Sequence, residues 1–427
     1  MMLFGGSQIR QGAIISYVSL FLNMLIGLLF TPWVIRTIGR ADYGLYTLVL
    51  SVISFFVFDW GLSRAITRFV AKYYAENKHD KVIQILSIVF KIYLVIAVIV
   101  FVISVAIYYF IPDIYRGLTL EEISKFKLLF VIAAVFSVVS FPFTPLNGIL
   151  SAYERFVELK LCEVLHRLII VVLMSYCLLT NKGVLSLVMA NSVAGIIQIL
   201  IKLFIFKKKL RLSVNLKVWN TCEAKSLATF AGWSTIITLA QRCIFIIAPS
   251  ILGVVSNSVE ITLLGIAITL EAYVFLFADA INGMFLPKVS KLIADKKNDD
   301  IMPLMIKIGR VQIIIISFIL LGFFSCGEDF ICIWVGKDFI SSYYCAILIM
   351  LPSIVQLSQE IGLTTIVARN KVKEQALIYS VMAIINLIIA FPLASVYGSV
   401  GIAVSIFIAY IIRTIGLNWI FKNIGVR

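Results

Sequence analysis

Long, nearly uncharged apolar stretches of about 20 residues recur along the whole 427-residue chain. A stretch of this length is what an α-helix needs to cross the roughly 30 Å hydrocarbon core of a bilayer. The strands of a membrane barrel would instead alternate apolar and polar residues over about ten positions. Because 61% of the residues are hydrophobic and only 14% are charged, the chain is predicted to be an all-α integral membrane protein.

About twelve of these stretches are predicted transmembrane helices. They cover residues 14–34, 43–62, 83–111, 126–150, 161–179, 184–206, 228–252, 259–284, 308–326, 342–367, 376–396 and 400–420. The connections between them are short, so the sequence predicts no extramembrane catalytic domain. Pro142 and Pro145 lie in the fourth stretch and Pro249 lies in the seventh. Because proline lacks the amide donor of a helical hydrogen bond, we expect kinks at these positions.

Lysines and arginines are concentrated in alternate loops. The loops after the second, sixth and eighth spans carry five or six cations each, whereas those after the seventh and eleventh carry none. Cytoplasmic loops of membrane proteins are enriched in such cations. We therefore expect both termini to lie in the cytoplasm. The formal net charge of +15 then reflects these loops, and no nucleic acid is expected as a partner.

The two halves of the chain resemble each other at an offset of about 215 residues. Gly183 precedes a Phe-Lys pair by the same interval as Gly398 does. Each half contains six predicted spans, so both halves begin on the same side of the membrane. A parallel repeat of this kind predicts two six-helix bundles, residues 1–212 and 213–427, related by a pseudo-twofold axis along the membrane normal.

Several short motifs follow one another in a characteristic order. They are DWGLSRAITR at 59–68, PLNGIL at 145–150, FLPKVS at 285–290 and IWVG at 333–336. Together they resemble the Wzx-type polysaccharide-repeat flippases of the multidrug/oligosaccharidyl-lipid/polysaccharide (MOP) exporter superfamily. The resemblance implies a MATE-like fold and no enzyme activity. It also implies translocation of undecaprenyl-diphosphate-linked oligosaccharides to the outer leaflet, for O-antigen, capsule or exopolysaccharide synthesis. In relatives an aspartate often follows the arginine of the seventh span, but here Cys243 follows Arg242.

Arg242 is the first candidate for substrate binding. A charge at the bilayer centre costs about 2.5–3.5 kcal/mol on insertion scales, so it usually faces a cavity or a partner. A guanidinium in the middle of the seventh span can bind a diphosphate through paired hydrogen bonds. An ion pair with Glu271 of the eighth span is the alternative.

Four more residues are candidates for substrate binding near the inner end of the helices. Asp59, Arg64 and Arg68 end the second span, where they could form a mouth that attracts an anionic head group. Alternatively, the two arginines are ordinary positive-inside anchors. Lys91 of the third span could also contribute, but a side chain that extends to the membrane interface explains its position equally well.

Three carboxylates are candidates for coupling to an ion gradient. Glu271 and Asp279 share one face of the eighth span, and Glu360 lies in the tenth, with Arg413 of the twelfth as a further cavity candidate. A carboxylate in a low-dielectric environment can exchange a proton near neutral pH. We therefore expect proton or sodium coupling without a cofactor or metal site, although Asp279 could also be a solvated residue at the cytoplasmic mouth.

Three other functions are compatible with parts of the sequence. A cation-coupled multidrug antiporter of the same superfamily would need an acidic cavity, against which Arg242 argues. A polysaccharide polymerase or glycosyltransferase would need a large external loop or an acidic metal motif. A peptidoglycan-precursor flippase usually has two further helices. The expected partners are the membrane, a lipid-linked oligosaccharide and a polysaccharide polymerase, and the chain is expected to be a monomer.

Overall fold

The computed structural model describes residues 8–210, 220–294, 301–368 and 372–423, and the regular elements in these ranges are all helices. The α-helices are α1 (Gln8–Ile38), α2 (Arg40–Phe56), α3 (Leu62–Ala75), α4 (His79–Ile114), α5 (Leu120–Ser140), α6 (Pro145–Ala152), α7 (Phe156–Leu179), α8 (Gly183–Ile205), α9 (Thr221–Phe245), α10 (Ala248–Val255), α11 (Ser258–Ala294), α12 (Ile301–Trp334), α13 (Ser341–Met350), α14 (Ser353–Ser358), α15 (Glu360–Ala368) and α16 (Val372–Asn423). Each predicted span is helical over most of its length, which confirms the all-α prediction.

Within the described ranges, fewer than twelve separate helices are long and apolar enough to cross a membrane. Nine helices of the described ranges qualify, or ten if the bent pair α9–α10 is one span. Helix α2 has only 17 residues, slightly fewer than the roughly 20 that a span needs. Helix α16 has 52 residues and contains both the eleventh and the twelfth predicted spans. The count of twelve therefore remains a prediction.

Helix α16 is interrupted at Gly398. This residue has φ 57° and ψ −132°. Residues other than glycine rarely adopt a backbone conformation with such a positive φ. The carboxylate of Glu260 on α11 accepts a 2.7 Å hydrogen bond from the Ser399 N–H. A Cβ added at Gly398 would lie only 2.6 Å from the same carboxylate. The break thus separates two helical arms at a position fixed by Glu260.

Prolines mark breaks in two of the predicted spans, as the sequence suggested. A 3₁₀ turn at Phe141–Phe143 separates α5 from α6, with Pro142 in the turn and Pro145 at the start of α6. Pro249 lies in the first turn of α10, directly after α9 ends. The tenth span is also divided, into α13, α14 and α15, which was not predicted.

Many large apolar side chains are exposed on the helices. Leu29 is 74% exposed, Phe318 is 79% exposed and Val396 is 71% exposed. A soluble protein rarely exposes so much contiguous apolar surface. Such surfaces are suited to contact with lipid acyl chains, as a membrane protein requires.

The chain divides into two compact units. The first comprises Met1–Ile114 and Thr119–Thr235, and the second comprises Tyr115–Leu118 and Ile236–Arg427. The core of the first unit includes buried residues of α3, α4 and α6, and one core cluster of the second includes buried residues of α12, α15 and α16. The predicted lobe boundary at residues 212 and 213 lies outside the described residues.

Candidate functional site

Arg413 of α16 is the centre of a buried polar cluster in the second unit. Its side chain is only 1% exposed. Its Nε donates a 2.8 Å hydrogen bond to the hydroxyl oxygen of Tyr379, and its Nη2 lies 3.4 Å from Oε1 of Glu360 on α15. Its buried Nη1 has no hydrogen-bond partner within the described ranges. Burying an arginine costs several kcal/mol unless its donors are satisfied, so this cluster is a functional candidate.

Glu360 therefore lies in an ion pair with a buried arginine. The Glu360 side chain is 23% exposed, whereas that of Arg413 is almost completely buried. This geometry places a partly accessible carboxylate against a desolvated cation. Proton binding to Glu360 would remove the charge attraction within the pair, which is the behaviour that an ion-coupling residue requires. The coupling role itself remains a prediction.

Glu271 is connected to the same cluster through Tyr410. Glu271 of α11 is 7% exposed, and Tyr410 of α16 is 6% exposed. The Tyr410 hydroxyl is within electrostatic range of both Glu271 and Arg413. Glu360 thus contacts the arginine directly, whereas Glu271 is linked to it only through Tyr410. The sequence did not single out Tyr379 or Tyr410, because a tyrosine in an apolar span gives no signal of its partner.

Arg242 lies near the end of α9 and is half-buried. Its carbonyl oxygen accepts hydrogen bonds from the N–H groups of Ile246 and Ile247, at 2.9 and 3.0 Å, where the helix breaks before α10. No contact between the described side chains pairs Glu271 with Arg242. The role of Arg242 in substrate binding remains a prediction.

Asp59 has a structural role in the first unit. It lies between α2 and α3, where the predicted second span ends early. Its Oδ1 accepts a 2.9 Å hydrogen bond from the hydroxyl of Tyr93 on α4 and a 3.0 Å bond from the Ser63 N–H. The second bond satisfies one of the amide donors that the first turn of a helix leaves free. Asp59 therefore joins the start of α3 to α4.

Among the remaining predicted site residues, only Lys91 has a described side chain. Lys91 is a half-buried residue of α4 with aliphatic neighbours along the helix. Helix α3 carries Arg64 and Arg68, and α11 carries Asp279, but the side chains of these three residues lie outside the described part of the chain. Their roles stay predictions.

A second deeply buried cation, Lys202 of α8, was not identified from the sequence. It is 8% exposed, and its Nζ donates a 2.9 Å hydrogen bond to Oδ1 of Asn147 on α6. Lys202 lies five residues before the lysine run Lys207–Lys209. It therefore looks like another interface anchor in the sequence. Only the PLNGIL motif, which contains Asn147, could have drawn attention to this place.

The arrangement of helices is that of known membrane transporters. An inward-facing multidrug resistance MATE family transporter of the MOP superfamily matches 100% of this chain and 96% of its own, with a TM-score of 0.78 and 12% identity. The lipid II flippase MurJ in an inward closed conformation matches over 96% and 87%, with a TM-score of 0.73 and 15% identity. A MOP superfamily transporter from Pyrococcus furiosus matches over 98% and 95%, with a TM-score of 0.69 and 12% identity. At these identities the likeness establishes the MATE-like fold.

The family is established by the sequence itself. Residues 9–290 match the family described as "Polysaccharide biosynthesis protein". This match covers more than half of the chain, so the protein belongs to that family. No curated protein sequence matches the chain. The resemblance to a polysaccharide biosynthesis family with a MATE-like fold is thereby confirmed.

Proposed function

We propose that the protein is a flippase for undecaprenyl-diphosphate-linked oligosaccharide repeat units. It moves them from the inner to the outer leaflet of the bacterial cytoplasmic membrane by alternating access, for the synthesis of O-antigen, capsule or exopolysaccharide. Membership of a polysaccharide biosynthesis family and a transporter fold support a transporter rather than an enzyme. One structural neighbour is a lipid II flippase, so the fold can accommodate a lipid-linked substrate.

The observation that carries the proposal is the burial of basic side chains within the helical units. Lys202 and Arg413 are each more than nine-tenths buried. Arg242 is half-buried in a broken helix. Cations are costly at such positions unless an anion or a polar cluster compensates them. A negatively charged diphosphate is a substrate for which such cations are useful.

In this proposal Arg242 binds the diphosphate through its planar guanidinium, which matches phosphate oxygens in pairs. Arg64, Arg68 and Lys91 attract the anionic head group, and Asp59 holds the start of α3 in place. The driving force comes from a proton or sodium gradient that acts on the carboxylates of the second unit.

The ion-coupling step centres on Glu360, Arg413 and Glu271. A proton on Glu360 neutralises its carboxylate and weakens the 3.4 Å pair with Arg413. The arginine can then interact more strongly with the side of the cluster that contains Tyr410 and Glu271. Such an exchange of partners gives the second unit two electrostatic states, which alternating access requires.

The test is a leaflet-accessibility assay in proteoliposomes that contain a defined undecaprenyl-diphosphate oligosaccharide. Arg242→Ala is expected to insert normally and to lower the flipping rate by about tenfold or more, since charge-assisted bonds to the diphosphate are lost. Arg310→Ala removes an exposed arginine of α12 in the same unit and should flip at the wild-type rate. Wild-type flipping by Arg242→Ala would disprove the assigned role.

A cation-coupled multidrug antiporter is the second candidate. It is favoured by the TM-score of 0.78 to a MATE transporter and by the buried carboxylate of Glu271. Efflux of a fluorescent organic cation from the same proteoliposomes, without flipping of the lipid-linked oligosaccharide, would select this function.

The location and partners follow from the proposal. Both termini are expected in the cytoplasm, which reporter fusions at the C-terminus can test. A monomer that works beside a polysaccharide polymerase is expected, and co-purification from native membranes can test that partner.

A further inference from the structure

The first unit contains a polar pocket of about 270 Å³ among α5, α6, α7 and α8. The polar side chains in its lining are Ser140, Thr144, Asn147, His166, Asn191, Gln198 and Lys202. The rest of the lining includes the apolar side chains of Phe136, Phe143 and Ile199. The pocket is therefore amphipathic, with many hydrogen-bonding groups and one cation.

The cation of this pocket has a neutral partner. Lys202 is 8% exposed, and its Nζ donates to the amide oxygen of Asn147 at 2.9 Å. An ammonium has three donors, so this bond uses only one of them. None of the described residues that line the pocket is a carboxylate. The neighbouring Glu163 of α7 interacts electrostatically with Lys202, but its carboxylate contacts Lys160 at 2.8 Å.

A buried ammonium with no carboxylate in hydrogen-bond contact needs a further source of compensation. Lys202 lies in the last turn of α8, where the helix dipole favours a cation. That effect is small compared with the cost of removing an ammonium from water. An anion that accepts hydrogen bonds from Lys202 and from the neighbouring amide, imidazole and hydroxyl groups would supply the missing charge.

We propose that this pocket binds the phosphate group of a lipid head group. The last turn of a membrane-spanning helix lies near the interface, where lipid phosphates lie. Tetrahedral phosphate oxygens can accept bonds from several of the pocket donors at once. The apolar side chains Phe136, Phe143 and Ile199 can contact the hydrocarbon next to the phosphate. The site lies within the first unit, and its ligand is separate from the diphosphate that the proposed function assigns to Arg242.

The test measures ligand binding to the purified full-length protein by thermal unfolding and by titration. The probes are short-chain phosphatidylglycerol, farnesyl diphosphate, inorganic pyrophosphate and, as the uncharged comparison, short-chain phosphatidylcholine. A response to phosphatidylglycerol identifies a membrane phospholipid site. A response to farnesyl diphosphate alone identifies a polyisoprenyl site, which would then bear on the proposed function. A response to pyrophosphate alone contradicts a lipid ligand.

Two variants make the test specific. Lys202→Met keeps the aliphatic stem and removes the charge, and Asn147→Asp places a carboxylate next to Lys202. Each is expected to weaken binding of the responding probe by about tenfold, and Lys202→Met should raise the unfolding temperature of the ligand-free protein. Lys207→Met, an exposed neighbour, should behave as wild type. Unchanged affinity in both Lys202→Met and Asn147→Asp would overturn the proposal, as would equal binding of phosphatidylcholine.

Discussion

Arg413 and Tyr379 lie on opposite sides of the break in α16 and are joined by a 2.8 Å hydrogen bond from Nε to the tyrosine hydroxyl. The guanidinium also lies 5.5 Å from the centre of the tyrosine ring. The two arms of α16 are therefore held together by a charged group in the interior of the second unit. This contact links the stability of the unit to the cluster that contains Glu271 and Glu360.

Removal of the tyrosine hydroxyl should destabilise the protein. Tyr379→Phe is expected to lower the free energy of unfolding by about 1.5–3 kcal/mol, because a hydrogen bond to a charged group is lost. Arg413→Ala should cost more, about 3–5 kcal/mol, since it leaves Glu360 without its cation. Thermal unfolding in detergent measures both. Tyr397→Phe, on an exposed residue of the same helix, is the control, and an equal loss in the control would contradict the assignment.

The break at Gly398 should not tolerate a side chain. Gly398→Ala is expected to destabilise the protein by about 1–3 kcal/mol, because the left-handed conformation is strained for alanine and the new Cβ would meet the Glu260 carboxylate. Gly322→Ala is the matched control, since its Cβ would meet no atom within 4 Å. Unfolding temperatures of the two variants give the comparison. A Gly398→Ala protein as stable as Gly322→Ala would show that the break is not fixed by Glu260.

Substitutions of Asp59 separate a structural role from a role in substrate binding. Asp59→Asn keeps an oxygen acceptor for Tyr93 and Ser63, so it should destabilise the protein less than Asp59→Ala, which leaves the buried Tyr93 hydroxyl without its acceptor at a cost of about 1–3 kcal/mol. The measurements are the unfolding temperature and the flipping rate. If Asp59→Asn is stable but inactive, the charge acts on the substrate. If activity follows stability in both variants, the role is structural only.

The carboxylate of Glu271 should matter for coupling more than for folding. Glu271→Gln keeps the shape of the side chain and removes its ability to exchange a proton, so flipping should lose its response to an imposed pH gradient. Glu328→Gln, an exposed residue of α12, should retain the response. The measurement is the flipping rate with and without the gradient. A gradient response in Glu271→Gln equal to that of wild type would exclude Glu271 from coupling.

The pair Tyr73–Glu223 predicts a pH dependence outside the membrane spans. The Tyr73 hydroxyl donates a 2.8 Å hydrogen bond to Oε1 of Glu223. Burial is the larger cause and this hydrogen bond the second cause that raise the pKa of Tyr73 from the ordinary 10 to about 12. The folded state holds the proton more tightly than the unfolded state does. The stabilisation is therefore complete below about pH 10 and is lost as the pH rises from about 10 to about 12.

The measurement for this pair is the gap in unfolding temperature between wild type and Tyr73→Phe. The gap should be constant near neutral pH and should shrink above pH 10. The control is Glu121→Gln, which changes a carboxylate that is 80% exposed. Introduced into both proteins, it should leave the difference in unfolding temperature between them unchanged. A gap that does not vary with pH would show that the hydrogen bond does not contribute.

The helices could be predicted because apolar length alone specifies them. The break around Pro142 and Pro145 was also predictable, since proline removes amide donors regardless of its environment. The break between α2 and α3 could not be predicted. Asp59 accepts a hydrogen bond from the Ser63 N–H at this break, and its carboxylate is held there by Tyr93 of another helix. A continuous apolar pattern cannot reveal such a tertiary competitor.

The clusters were harder to predict than the helices. Their positions within the predicted spans placed Arg242 and Glu271 at similar depths in the membrane. Whether two such side chains meet also depends on the rotation of their helices, and these two do not form a pair. Glu360 found its partner in Arg413, 53 residues away along the chain. Lys202 was missed because its position near a lysine run is typical of an interface anchor. Burial, which only the packed structure gives, distinguishes it from its neighbours.

Pro142 and Pro145 at the break between α5 and α6 also change the hydrogen bonding of the backbone. Each removes an amide hydrogen from the middle of an otherwise apolar segment, and a carbonyl oxygen deprived of its donor is strongly unfavourable in hydrocarbon. Ser140, Phe143 and Thr144 at this break line the Lys202 pocket. The interrupted helix thus places polar backbone groups beside the buried ammonium, where they lower the cost of holding a charge away from water.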